Sequence, residues 1–338
     1  MYQLLSCGSN GNYQLGINND EDQNTLQPSI FNTQTQIPHK PVKIVCGGNH
    51  TLVLLETGEV YSCGDNTYGQ CGVPKSIDKL KVFTKVPGDD WVDISCGWEF
   101  SILVKRDGQV FVCGNGLKGE LGLGKNIKQT ELVYSFTVEK FLNVISCMQH
   151  TIIQNSDQKL VGWGNCRKGQ LGKTTEKVFW EPTTLDFGQP VQKYCLGREF
   201  TVIQSDSDTV TIFGKSSITE IPKMPISEFA AMWSSVHVLS GGTIHSFGNN
   251  SHDQLFPTTN IPIDGFAIGS EHGLIKSGNS VYAWGWSEHG NCGASTTPNS
   301  KTTFDYLNKL YTGDEEVVLI SGGCATSWVV VRNLIEEH

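Results

Sequence analysis

Residues 46–72 read CGGNHTLVLLETGEVYSCGDNTYGQCG, and the fold follows from this stretch. It opens on a small-residue turn, Cys46-Gly47-Gly48-Asn49, which leads through His50 into the apolar run Leu52-Val53-Leu54-Leu55. A hairpin signal, Thr57-Gly58-Glu59, follows. Next come the short apolar-polar segment Val60-Tyr61-Ser62 and a polar, glycine-rich loop. Short β-prone runs bounded by Gly turns are what an antiparallel meander looks like in sequence.

Both halves of the stretch recur. The loop half returns as CGSNGNYQLG (7–16), CGNGLKGELG (113–122), WGNCRKGQLG (163–172), FGKSSITEIP (213–222), FGNNSHDQLF (247–256) and WGWSEHGNCG (284–293), which makes seven copies, the one at 213–222 badly eroded. The turn half returns as CGWEFS from Cys96, CMQHT from Cys147, CLGREFT from Cys195, MWSSVH from Met232, IGSEHG from Ile268 and GGCATSW from Gly322, again seven. Self-similarity with units of 34 to 56 residues marks a repeat architecture. One small meander cannot bury its faces alone, whereas seven arranged radially can, with only short protected edges left over. The expectation is an all-β chain forming a single seven-bladed β-propeller over residues 1–338. The chain begins with an unpaired loop motif and ends with an unpaired turn motif. Residues 1–16 together with 317–333 should therefore complete one blade, residues 2–6 pairing beside residues 328–331.

Composition agrees. The chain holds 37 Gly among 338 residues with only 17% charged side chains, so a long helical or coiled-coil protein is excluded. Its 38% hydrophobic content with eight Trp excludes a disordered chain. A formal charge of -9 works against sequence-independent binding to phosphate backbones, so no direct nucleic-acid partner is expected. Residues 1–6 lack the charged start and long apolar run of a signal peptide, and no segment approaches the roughly 18 apolar residues of a membrane-spanning helix. These features lead to the expectation of a chain of the cytoplasm, with the nucleus also open to it, and no membrane partner. Eleven cysteines, an odd number with no C-x-x-C spacing, argue for reduced thiols and against a disulfide framework or zinc knuckle. Cys46, Cys96, Cys147 and Cys195 keep the rhythm of the repeat, which suits small buried hydrophobes. His50 and His150 are expected to be turn residues bonded to backbone.

The G-N-x-x-G-Q-L-G and C-G-x-x-H-T patterns resemble those of the regulator of chromosome condensation repeat family, a family of seven-bladed propellers, across the whole chain. The less regular segments MWSSVH, FGNNSHDQLFP, GSEHG, WGWSEHGNCG and GGCATSW resemble more narrowly a fungal branch, the alpha-tubulin suppressors or killer-toxin-insensitivity proteins. The polar insert 17–41 and residues 295–313 do not contribute to this match. The narrower resemblance implies a non-catalytic scaffold that forms a heterodimer with a small CSL-type zinc- or iron-binding protein, an electron carrier. That partner serves diphthamide synthesis on elongation factor two and, through an indirect link to Elongator, tRNA wobble-uridine modification. The metal would belong to the partner, and this chain would need no cofactor.

In a meander, alternate connections emerge on the same side of the sheet, so turn and loop motifs share one face of the disc. Residues 270–273 and 287–290, each carrying a Glu-His pair, then lie close together in one blade, and Trp98, Trp233 and Trp286 add aromatic surface. On the resemblance, the partner contacts fall to Trp98, Glu99, Trp233, His237, Glu271, His272, Trp286, Glu288 and His289. Three readings of this cluster stay open. Its polar members can cap turns while the Trp fill gaps; it can be a protein-binding patch of aromatic anchors in a polar ring; or it can be a catalytic or metal site. For the last, no nucleophile-base-orienter set is legible. A guanine-nucleotide exchange factor for a small GTPase is the alternative function, although no dedicated wedge is apparent.

Overall fold

The computed structural model describes residues 1–295 and 302–333; residues 296–301 and 334–338 of the expected span lie outside the described residues. Every regular element in it is a β-strand, and the strands form seven separate sheets. Blade 1 consists of Pro41–Cys46, His50–Leu55, Val60–Asp65 and Lys79–Lys85. Blade 2 follows with Trp91–Cys96, Phe100–Lys105, Gln109–Asn115 and Gln129–Thr137, and blade 3 with Phe141–Cys147, His150–Asn155, Leu160–Asn165 and Val178–Thr184. Blade 4 has only Lys193–Leu196, Phe200–Gln204 and Val210–Gly214, and blade 5 only Glu228–Ala231, Ser235–Ser240 and Thr243–Gly248. Blade 6 regains four strands, Gly265–Ile268, His272–Ser277, Ser280–Trp286 and Thr303–Thr312.

Blade 7 is built from both ends of the chain. Glu316–Gly322 and Thr326–Arg332 come from one end; Tyr2–Gly8, Gln23–Pro28 and the two residues Gln36–Ile37 come from the other. The register sets Leu4 opposite Val330 and Ser6 opposite Trp328, as the motif order required. The ring is therefore closed by an ordinary antiparallel ladder. No open sheet edge remains where the chain ends meet.

The core divides in the same way. Among the described residues seven hydrophobic clusters form, each between two neighbouring blades. Leu4 and Trp328 of blade 7 pack with Val53 and Phe83 of blade 1. Ile102 of blade 2 packs with Ile153 and Trp163 of blade 3, and Ile275 and Trp284 of blade 6 pack with Met232 and Ile244 of blade 5. Hydroxyls add polar staples across the same seams: Thr51, Ser101, Thr201 and Ser327 each donate to the backbone carbonyl of the preceding blade's loop, at residues Gln14, Gln70, Gln170 and Asn291.

The repeated loop glycine has a specific cause. Gly64 sits at φ +104, and a Cβ there would come within 2.4 Å of the Asn49 carbonyl oxygen, so neither the conformation nor the space admits a side chain. The other six blades place a glycine at φ 101 to 119 in the same position.

Two segments that do not contribute to the family match supply outer strands. The insert 17–41 supplies the outer strand Gln23–Pro28, and its Phe31 stacks on Phe83 with centroids 4.8 Å apart. The stretch 295–313 contains the outer strand Thr303–Thr312. The outermost strands follow long loops and are polar at most exposed positions, which leaves them little signal in the sequence. His50 bonds to the Phe100 backbone as expected and its Nε2 also lies 2.8 Å from the Ser101 hydroxyl of blade 2, across the seam.

Candidate functional site

The turns that begin each blade's second strand converge on the propeller axis and are tied to one another by backbone. Gly48 N–H donates to Trp98 C=O (2.8 Å) and Trp98 N–H to Met148 C=O (2.9 Å). On the other side Arg198 donates to Trp233 (3.1 Å), Trp233 to Ser270 (2.9 Å) and Ser270 to Gly323 (3.0 Å). The side chains on this face are thus held on a rigid collar. Rigid placement lowers the entropic cost of binding.

Inside the collar is an axial hollow of about 230 Å³ lined from all seven blades. Five thiols face it: Cys46, Cys96, Cys147, Cys195 and Cys324. Burial pushes Cys46 and Cys324 up to about 11 and Cys147 up to about 12, and raises Cys96 and Cys195 as well. They stay protonated at neutral pH and are poor nucleophiles. All eleven cysteines are free, and among the described residues no three His, Cys, Asp or Glu side chains are placed to hold a metal ion.

Over the mouth of this hollow Trp98 of blade 2 meets Trp233 of blade 5, ring centroids 6.0 Å apart and tilted by 60°. Trp98 is 38% exposed, a large apolar side chain in the open. Beside Trp233 a second cavity, of about 160 Å³, opens between blades 5, 6 and 7, with Glu271, Trp286, Glu288 and His289 in its wall. His252 stacks on Trp286 at 3.9 Å and fixes the indole. His289 pairs with Asp22 (Nδ1 to Oδ2, 2.7 Å) at the rim, and the Arg198 guanidinium lies 5.9 Å from the Trp233 ring.

Glu271 is the buried charge of this cavity, only 8% exposed. It accepts hydrogen bonds from the Ser234 hydroxyl (2.9 Å to each oxygen) and from Gln254 Nε2 (3.0 Å). Burial raises its carboxyl above the usual range, against the pull of those bonds and of the nearby His252 and Arg198.

Of the nine residues singled out in the sequence, six line the second cavity: Trp233, Glu271, His272, Trp286, Glu288 and His289. Trp98 is brought to Trp233 across the axis. Glu99 stands apart on blade 2, half-buried and held by Asn115 Nδ2 at 2.9 Å. His237 needs correction: it is fully buried within blade 5, bonded to the Ser235 and Ser246 hydroxyls, and burial lowers it to about 3. It faces inward because the strand Ser235–Ser240 begins two residues earlier, so alternation turns it from the surface into the seam. His272 is likewise buried, with Nε2 on Ser327 Oγ at 2.9 Å; it forms the cavity floor and offers little surface. Arg198, His252 and Asn291 were missed. His252 and Asn291 stand inside the loop motifs FGNNSHDQLF and WGWSEHGNCG, where they read as filler.

With this geometry in view, comparison with known proteins gives a consistent result. The RCC1-like domain pattern matches residues 2–329. An RCC1 repeat-containing protein of Schizosaccharomyces pombe is 33% identical over 364 aligned positions, covering 99% of both chains. A secretion-regulating guanine nucleotide exchange factor of Bos taurus is 37% identical over 73 residues, 21% of this chain and 14% of that protein. Among solved structures, Prp20p of Saccharomyces cerevisiae superposes with a TM-score of 0.82 at 18% identity, covering 99% of this chain and 92% of the other.

Proposed function

Because this chain belongs to the RCC1-like domain family, we propose that it is a non-catalytic propeller whose loop face docks a small protein. The observation that carries this reading is the Trp98–Trp233 pair over the axial mouth, continued by Trp286 and bordered by Glu288, His289 and Arg198. Aromatic anchors at the centre of a patch with charged groups around them are the composition of binding hot spots. Among the described residues of this face the Cys46 and Cys147 thiols are held protonated and the His272 imidazole is hydrogen-bonded to Ser327.

The partner we propose is a small CSL-type zinc- or iron-binding electron carrier, in a heterodimer that supports diphthamide synthesis and Elongator-dependent wobble-uridine modification. Support for this comes from the segments MWSSVH, GSEHG, WGWSEHGNCG and GGCATSW, which supply the walls of both cavities. The metal stays with the partner, and the complex works in the cytoplasm, the nucleus also being open to it. The chain acts as one domain over residues 1–338. Mixed at tens of micromolar, the two proteins should co-elute as a 1:1 complex; separate elution rejects the assignment.

A second reading is nucleotide exchange on a small GTPase. It is favoured by the exchange-factor name of one partial relative, and Prp20p is a protein whose structure was described with its binding to Gsp1p. Against it, the insert 17–41 is folded onto blade 7 and does not project as a wedge. Accelerated nucleotide release from a GTPase panel decides for exchange; unchanged release decides for the scaffold.

A further inference from the structure

Blade 6 departs from most other blades at two repeated positions, and both departures border the same cavity. The first concerns Glu271. In each of blades 1 to 6 the residue before the second strand receives a backbone hydrogen bond from the loop motif: Asn49 from Asp65, Glu99 from Asn115, Gln149 from Asn165, Glu199 from Lys215, Ser234 from Asn249, and Glu271 from Trp286. In four of these pairs the loop residue also holds the other's side chain. Asn115 Nδ2 donates to Glu99 (2.9 Å), Asn165 Nδ2 to Gln149 (2.9 Å) and Asn249 Nδ2 to Ser234 (3.3 Å), and the Lys215 ammonium lies 3.6 Å from the Glu199 carboxylate. Blade 6 has Trp286 there, whose indole N–H makes no hydrogen bond to Glu271 among the described residues. Glu271 is left with a hydroxyl and an amide from blade 5, all neutral, and no ion pair to it forms among the described residues.

The second departure concerns Asn291. In the loop motifs of five blades a Gln or Glu side-chain oxygen accepts the backbone N–H two residues before it. Asn12 donates to Gln14, Tyr68 to Gln70, Lys118 to Glu120, Lys168 to Gln170 and His252 to Gln254, at 2.5 to 2.9 Å. Asn291 is one methylene shorter. Its Nδ2 donates to Trp286 C=O at 2.7 Å, and its Oδ1, in a side chain 1% exposed, has no partner among the described residues. A buried acceptor without a donor is uncommon and asks for an explanation.

A carboxylate without an ion pair, felt by His252 and Arg198 only at longer range, and a buried amide oxygen unpartnered among the described residues thus belong to side chains of one cavity, whose walls include the indoles of Trp233 and Trp286. Every one of these features favours positive charge that carries N–H donors: carboxylate and amide oxygen accept, and indole faces attract cations. Glu288 at the rim adds to the bias, and an anion would meet two carboxylates. We propose that this cavity receives one cationic side chain, the ammonium of a lysine or the guanidinium of an arginine, from the protein that docks on the loop face. The inference rests on the docking reading above and specifies what the partner must present. In blade 4 the complement is built into the chain as Lys215; in blade 6 it comes from outside.

The test uses the full chain and three blocked tripeptides, acetyl-Gly-Lys-Gly-amide, acetyl-Gly-Arg-Gly-amide and the uncharged citrulline analogue, followed by the indole N–H resonances of Trp233 and Trp286. The Lys or Arg peptide should give saturable shifts in the millimolar range, with the citrulline peptide at least about tenfold weaker. Glu271→Gln should lose that preference, and Trp286→Lys, which copies blade 4, should abolish binding while melting as a folded protein. Equal binding of the citrulline peptide, no shift at about 50 mM, or an unchanged preference in Glu271→Gln overturns the proposal. Failure of the two readings is separable. Should the charged peptides bind while the CSL-type protein does not, the partner assignment falls and the cavity stands. Should that protein bind the parent chain and Glu271→Gln alike, the cavity inference falls and docking stands.

Discussion

Ring closure makes a quantitative demand on one side chain, Leu4. It is fully buried, sits opposite Val330 in the closing ladder and packs into the cluster with Trp328, Val53 and Phe83. Leu4→Ala removes the apolar transfer energy of most of a buried side chain and leaves a cavity walled by two large aromatics that cannot collapse into it. Fully buried Leu sites lose about 3–5 kcal/mol on this change. Leu52→Ala is the control, because Leu52 is equally buried but belongs to the seam between blades 1 and 2. Denaturant unfolding should show similar losses for both. Hydrogen exchange should separate them: a loss of about 3 kcal/mol confined to the clasp raises exchange there on the order of 10²-fold. For Leu4→Ala that rise should fall on Thr326–Arg332 and spare His150–Asn155 of blade 3. A loss below about 1 kcal/mol, or an equal rise in every blade, refutes the idea that the chain ends close the ring as a local clasp.

Other consequences are simpler to check. Burial lowers His50, His150 and His272 to about 4 and His237 to about 3, from about 6.5 when unfolded, so the unfolded chain binds more protons in acid. Stability should be full above pH 6.5 and fall steadily toward pH 4, by up to about 1.4 kcal/mol per pH unit per histidine; a flat midpoint from pH 7.5 to 5 contradicts this. Asp93 accepts from Lys43 of blade 1 (2.6 Å) and from Val144 N–H of blade 3 (3.0 Å), so Asp93→Asn should cost about 1–3 kcal/mol, and a change under about 0.5 kcal/mol counts against the contact. Cys46, Cys147 and Cys324 should react with iodoacetamide at pH 7.5 some 10- to 100-fold more slowly in the folded than in the unfolded chain, because the thiolate fraction is suppressed.

Much of the fold was legible because closure and blade count are written as motif order. The loop glycines, Gly64 above all, mark a conformation only glycine adopts, so they survive as punctuation even in the eroded blades. The outer strands were not legible. Gln23–Pro28 is only partly buried and Lys79–Lys85 buries just Leu80 and Phe83, and each pairs across a bulge at the glycine of the neighbouring strand. For the site, one-face topology was enough to gather Trp233, Glu271, Trp286, Glu288 and His289. It could not fix side-chain direction within a strand, which is why His237 points into the seam. Nor could it reveal that Trp98 reaches Trp233 across the axis, since blades 2 and 5 are distant in sequence. The meaning of Trp286 and Asn291 appeared only when the blades could be superposed and the missing hydrogen bonds seen.

The central claim is that the loop face docks a small protein through its tryptophans. Sedimentation equilibrium or calorimetry of the full chain with the small CSL-type protein tests it directly, alongside the double variant Trp98→Ala, Trp233→Ala. A 1:1 complex is expected, weakened by about thirtyfold or more in the variant at unchanged melting temperature. A complex of equal affinity in both, or none at tens of micromolar, contradicts it.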